Sequence, residues 1–368
     1  MNRKKLITFL IAGVMMVSSG NVIAAQNNNA DTLDIEKTAI ETIKNSTLIK
    51  TSIKQTENAQ NIYYNAKAAA QMGLSMGRGD LAKMVVYNPI SAENLLNQFI
   101  TNEVVNTNSV RIDAYSKFIS LLKANYAVNI QKELNDSLKK ANTKAQLQLS
   151  NGSISKSNAR LAEINYLKSD YKLTNFEKSL DSAYMDINLA MGRDISKSYA
   201  ALIDNNIVPV KKIKSLDDYI KDALVSRGEI VNAQSTLDAK KKEFEYDKGS
   251  LRTDYMFYVK KTQYEIDRAE SDLEKAKINI QLEITNGYKT LVGCMKAMEN
   301  QQINYDLAKS NYESAKIKYD NDTITINQFL EAESAKAEAQ INLKNAQLDA
   351  WLEQVKMNNA TGVGPGLK

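Results

Sequence analysis

Residues 319–362, YDNDTITINQFLEAESAKAEAQINLKNAQLDAWLEQVKMNNATG, decide the fold of this 368-residue chain. They hold a polar turn, a helix start and an apolar stripe of about 35 residues. Thr325 is the expected N-cap, and Gln328 three residues on completes a capping box. Past the cap, Phe329, Ala332, Ala339, Leu343, Ala346, Ala350, Met357 and Ala360 fall on a three-four spacing. Only Lys336 and Glu353 interrupt it. Such a stripe forms one face of a long helix that supercoils against a partner.

The same stretch stands 170 residues earlier, without a gap, as NGSISKSNARLAEINYLKSDYKLTNFEKSLDSAYMDINLAMG at 151–192. Asn151/Asn321, Ile154/Ile324, Ala162/Ala332, Glu163/Glu333, Leu173/Leu343, Asn175/Asn345, Asn188/Asn358, Ala190/Ala360 and Gly192/Gly362 are identical pairs. Ser153/Thr323 and Ser155/Thr325 keep a hydroxyl at the turn and at the cap. Helical composition alone matches alanines and leucines, but not turn, cap and closing glycine together. The chain is therefore expected to be a tandem duplication of a helical hairpin. The fold class is all-α, built from tandem-repeated long antiparallel coiled-coil hairpins.

Composition agrees. Three prolines and fourteen glycines supply little turn chemistry, which suits a few long helices. The N-terminus has the three parts of a signal peptide: Arg3, Lys4 and Lys5, an apolar run over 6–17, and a small-residue cleavage site at Val22-Ile23-Ala24-Ala25. That run is too short to span a bilayer as a helix. An exported protein of the cell envelope is expected. Removing the three leader cations takes 48 basic residues to 45, against 43 acidic ones. Such a balance gives no reason to expect nucleic acid. Cys294, the only cysteine, excludes an internal disulfide and fits a helix seam better than a reactive site.

The expected organisation is a leader at 1–25, a first hairpin repeat at 26–192, a linker at 193–214, a second repeat at 215–362 and a tail at 363–368. In the first repeat, 32 to about 70 is helical, and 73–89 is a loop with one short extended piece at Met84-Val85-Val86-Tyr87. Ser91 then caps a helix to about 149, Asn151-Gly152 ends it, and the return helix runs from Ser155 to about 190. The linker, which holds Pro209, is partly extended. Ser215 starts a short helix, Ser226-Arg227-Gly228-Glu229-Ile230 opens the second copy, and 253–259 is either a strand or more helix. From 260 to 319, Ile266, Ala269, Leu273, Ala276 and Ile280 begin a seam, and a four-residue stutter follows. Ile284, Gly287, Leu291, Cys294, Met298, Tyr305, Ala308, Tyr312, Ala315 and Tyr319 continue it, alternating small and large residues.

The chain has no histidine, which removes the commonest general base and imidazole metal ligand. It has no phosphate loop, nucleophile elbow or cysteine pair. Carboxylates beside lysines on helix faces are solvated ion pairs by default. No enzyme and no cofactor are expected.

Two copies of long helix, Asn/Gly turn with a hydroxyl, and return helix ending in Ala-x-Gly resemble the TolC-type outer membrane efflux protein family. KYDNDTITINQFLEAESAKAEAQ and LKNAQLDAWLEQVKMNNATG resemble that family's second-repeat hairpin. SRGEI at 226 and NSTLIKT at 45 resemble its repeat starts. The resemblance implies a homotrimer forming a tapering α-barrel that carries solutes from an inner-membrane transporter by way of a periplasmic adaptor protein. It implies adaptor-facing tips at Asn151, Gly152 and Ser153 and at Asn321, Asp322 and Thr323. Each tip residue has a plain alternative as a turn residue selected by backbone geometry. Glu331 falls at one of the family's acidic constriction positions, and Gln328 at another, without the carboxylate. The family also inserts two membrane strands per repeat, for which 73–89 and 249–259 have little room. The rival reading is a non-conducting coiled-coil scaffold or surface protein of the cell envelope.

Overall fold

The computed structural model describes residues 31–72, 83–248 and 255–367. The expected leader at 1–25 lies outside these, as do residues 26–30, 73–82, 249–254 and 368. In chain order the elements are β1 (Thr32–Asp34), α1 (Ile35–Asn45), α2 (Thr47–Met72), a π-helical turn (Lys83–Tyr87), α3 (Asn88–Ser150) and α4 (Lys156–Met191). Then come β2 (Ala201–Ile203), α5 (Leu216–Ser226), α6 (Gly228–Lys248), α7 (Tyr255–Asp320) and α8 (Ile326–Ala360).

The duplication reaches further than the return helices. Each repeat opens with an 11-residue helix, α1 or α5. Each of these is broken from its successor by one extended residue. Ser46 has φ −60° and ψ 124° and Arg227 has φ −60° and ψ 135°, and both donate N–H to the carbonyl four residues back. Each repeat then has a long helix, 63 residues in α3 and 66 in α7. At 1.5 Å per residue these span roughly 95–100 Å. The return helices have 36 and 35 residues.

The core is a set of helix seams. Around the middle of the molecule Ala114, Leu121 and Ile187 are buried, and their equivalents 170 residues on, Ile284, Leu291 and Met357, are buried in the second repeat. Toward the turns, Ala127, Ile130, Leu134 and Leu138 of α3 pack on Ile326, Leu330, Ala337 and Ile341 of α8. This seam joins the two repeats. At the other end α3 meets α6 through amides and hydroxyls. Gln98 Nε2 lies 3.2 Å from Thr236 Oγ1 and Asn232 Nδ2 3.3 Å from Asn102 Oδ1. A short parallel sheet, Thr32↔Ala201 to Asp34↔Ile203, ties the start of the first repeat to the linker.

Several expectations are corrected. The stretch from 32 begins as strand rather than helix, and its helix is split at Ser46. Met84–Tyr87 is π-helical rather than extended, and it runs straight into α3. Pro89 stands in the first turn of α3. Ser91 lies inside that helix instead of capping it. The described part of 253–259 is helix from Tyr255. In the linker, where an extended piece was expected, the strand is Ala201–Ile203. On α8 the expected stripe is only one of two: Leu343, Ala350, Met357 and Ala360 are buried, while Phe329, Ala332, Ala339 and Ala346 are half-buried. The more deeply packed tip-side face is Ile326, Leu330, Ala337 and Ile341. The paired glycines also part ways. Gly192 is left-handed with φ +69°, whereas in the second repeat the left-handed residue comes later, at Gly364 with φ +114°.

Candidate functional site

The two interhelical turns are the same structure. Gly152 and Asp322 both have positive φ, +70° and +55°. Ser153 N–H donates to Gln148 O at 2.8 Å, and Thr323 N–H to Lys318 O at 2.8 Å. Ser155 and Thr325 then cap the return helices by accepting from Asn158 N–H and Gln328 N–H. Glycine and aspartate are residues that tolerate the left-handed region, so backbone geometry accounts for both identities. All six tip residues are exposed. The α3–α8 seam places both turns at one end of the molecule: Lys144, near the end of α3, reaches the Tyr319 hydroxyl at 3.2 Å.

The second turn is braced more heavily than the first. Tyr319 stacks on Phe329, with centroids 5.2 Å apart and rings 9° from parallel. Lys144 sits 5.3 Å above the Tyr319 ring, and Lys336 4.4 Å from the Tyr312 centroid. The equivalents of Tyr319 and Phe329 in the first repeat are Leu149 and Ala159, which cannot stack.

Gln328 is committed to its capping box: its Oε1 accepts from Thr325 N–H at 2.9 Å. Glu331 is exposed, one residue past the buried Leu330. The carboxylate that sequence reasoning passed over is Glu333. It is half-buried in the α3–α8 seam and accepts from the Ser137 hydroxyl at 2.9 Å. Burial raises its pKa above the usual carboxylate value, outweighing Ser137 and the Lys336 ammonium on its own helix. Tyr312 of α7 faces it as well. Its identity with Glu163 at the matching turn was the available signal. Glu163 instead pairs with Arg160 at 2.6 Å.

A folded-state pKa above the unfolded one means that the native seam binds more protons through that window. Glu333 therefore favours the fold at acid pH, and that contribution is lost as pH rises through its raised pKa. Glu333→Gln is expected to remove this part of the pH dependence while keeping an acceptor for Ser137. Thermal unfolding of both forms between about pH 4 and 7 checks it. Parallel curves would show that the carboxyl does not titrate differently in the seam.

At the opposite end of the long helices, Asp247 of α6 is buried and accepts from the Tyr87 hydroxyl and, at 2.6 Å, from Thr262 Oγ1. This cluster joins α6, α7 and the π-helical turn. Among the described residues no group of histidine, cysteine, aspartate and glutamate side chains is placed to hold a metal ion.

No protein-family model matches the chain, and no curated protein matches it by sequence. Solved structures match along nearly its whole length. The outer membrane protein VceC of Vibrio cholerae superimposes with a TM-score of 0.67 at 10% identity, over 90% of this chain and 96% of that one. CusC, described for transmembrane channel formation, gives 0.68 at 12% over 93% and 96%. The CmeC outer membrane channel of Campylobacter jejuni gives 0.66 at 14% over 93% and 90%. At these identities the likeness establishes the fold. The chain has the helical-barrel fold of TolC-like outer membrane channels.

Proposed function

We propose that the protein is an exported helical conduit of the cell envelope, assembled as a homotrimer, that carries solutes out from an inner-membrane transporter through an adaptor. The observation that carries this reading is the match to outer membrane channels over 90% of the chain, combined with two turns of like backbone geometry at one end of helices about 100 Å long. A protomer with this shape is a stave. Its polar tips, 151–153 and 321–323, are the surface for the adaptor, and Glu331 lies one turn inside that end. Gln328 adds no charge there, and its carboxamide is already engaged by the cap. No pocket is required, since a wide passage selects by its partners rather than by a binding site.

Images of single particles of the purified mature protein test this. A hollow tapering cylinder is the expected result. A solid rod would leave the non-conducting scaffold as the correct reading.

A further inference from the structure

The two long helices differ at one telling place. On α3, Asp113 and Lys117 stand one turn apart and form an ion pair at 2.6 Å. A shift of 170 residues puts Glu283 and Gly287 in those places on α7. The carboxylate is kept and its lysine is lost. Glu283 therefore takes partners from outside its own helix: Arg227, at 2.9 and 3.1 Å, and the N–H of Leu367, at 2.6 Å.

Losing that side chain also opens a notch. A Cβ on Gly287 would lie 2.0 Å from Leu367 Cδ1 and 3.5 Å from Met357 Sδ, so nothing larger than hydrogen fits while Leu367 is in place. Leu367 packs there with the cluster of Ile280, Ile284 and Met357. The notch adjoins the stutter of the α7 seam between Ile280 and Ile284, where a left-handed supercoil locally unwinds. A glycine inside the helix adds backbone freedom at the same point.

The segment that carries Leu367 lies across helices instead of prolonging α8. Gly362, Gly364, Pro365 and Gly366 are the residues least suited to a helix. Val363 O accepts from Gly228 N–H at the start of α6, and Gly364 O accepts from Asn108 Nδ2 on α3, both at 2.9 Å. A Cβ on Gly366 would lie 2.8 Å from both Arg227 Nη2 and Glu283 Oε1, so the backbone passes close over that ion pair. The segment thus touches α3, α6 and α7, elements of both repeats. The first repeat has no counterpart. Past Gly192 its chain runs on into β2, and Lys197, which matches Leu367, pairs with Asp31 at 2.6 Å.

We infer that residues 362–367 are a releasable strap that locks α7 at its stutter, anchored by Leu367 in the notch over Gly287. Seated, the strap fixes the course of α7 against α3. Lifted, it leaves the notch empty and lets α7 bend over 280–287. One apolar side chain and a few hydrogen bonds of modest net worth hold it, so it opens well before the long helices do. The strap is a property of the single chain and stands or falls apart from the conduit reading.

Hydrogen exchange, read by mass spectrometry on peptic fragments, tests this. Gly287→Val should speed exchange in 362–367 and in 280–290 by about tenfold or more. Gly293→Val, on the same helix with open space where its side chain would go, should change neither. Adding Leu367→Gly to Gly287→Val should return part of the protection, because the valine then has room. Leu367→Asp leaves α7 untouched, sets a carboxylate beside Glu283, and should release both segments as Gly287→Val does. That variant separates loss of the strap from any misfolding caused by a valine in the helix. Unchanged exchange over 362–367 in both single variants would overturn the strap. Fast exchange there with unchanged exchange over 280–290 would overturn the lock, since α7 would then hold its course unaided.

Discussion

Arg227→Met is expected to destabilise the second repeat by about 3–5 kcal/mol, the usual cost of removing one partner from a buried ion pair. The melting temperature should fall by roughly 10 °C. The guanidinium is 1% exposed at the break between α5 and α6. It donates to both carboxylate oxygens of Glu229, at 2.9 and 2.7 Å, to both of Glu283 on α7, at 2.9 and 3.1 Å, and to Ala360 O at the end of α8, at 3.0 Å. Burial works against its charge, but the two carboxylates outweigh burial and hold its pKa above the ordinary value. Glu283 in turn accepts from Leu367 N–H at 2.6 Å, and Val363 O accepts from Gly228 N–H at 2.9 Å. One side chain thus fastens the start of α6, the middle of α7, the end of α8 and the segment beyond it. Methionine fills the volume and leaves the half-buried Glu283 without its cation. Arg227→Met with Glu283→Gln should recover part of the loss, since Gln keeps an acceptor for Leu367. Thermal unfolding of the three proteins decides the matter. An unchanged melting temperature in Arg227→Met would mean that the guanidinium holds nothing together. Glu229 adds a pH signature. Burial opposes its ionisation, yet Arg227 holds its pKa below the usual value. Its contribution is present above the ordinary carboxylate range and is lost as pH falls through that lowered pKa.

This junction shows what sequence can and cannot reveal. SRGEI marked the start of a repeat, but not that its arginine would be buried, because the partners lie 56 and 133 residues away. The turns, the caps at Ser155, Ser215 and Thr325 and the seam of α7 were legible, since each depends on residues within about two helical turns of one another. Gly152, Thr325 with Gln328, and Ile266, Leu273, Ile280, Ile284 and Leu291 all stand as their spacing requires. The break at Ser46 was not legible, since it has no proline or glycine and a serine is tolerated inside helices. NSTLIKT and SRGEI matched Ser46 with Arg227 as repeat starts, but that both are helix breaks emerges when the two 11-residue helices are laid together. The second stripe of α8 was missed for a related reason. A helix packed on two neighbours has two apolar faces, and a search for one periodic seam finds only the more regular of them. Glu333 was visible as an identical pair with Glu163. Only the fold shows one carboxyl turned into a seam and the other out to Arg160.

The second large effect concerns the membrane. The described helices leave ten residues, 73–82, before the π-helical turn and six, 249–254, between α6 and α7. One strand across a bilayer takes about 9–11 residues, and a two-stranded hairpin with its turn about 20. The flanking positions offered no extension, because Met84–Tyr87 and the residues from Tyr255 are helical. Among the described residues, no helix is long and apolar enough to cross a membrane. A wall with unpaired edges would expose backbone N–H and C=O groups to hydrocarbon at several kcal/mol each. With so few residues at 73–82 and 249–254 from which to build strands, the purified protein is expected to give no discrete conductance steps alone in a planar bilayer. Any passage through it would depend on other envelope components that hold the helical tube in place. Reproducible unitary steps from the purified protein would overturn this, since strands at 73–82 and 249–254 would then have to come from several copies closing one wall together.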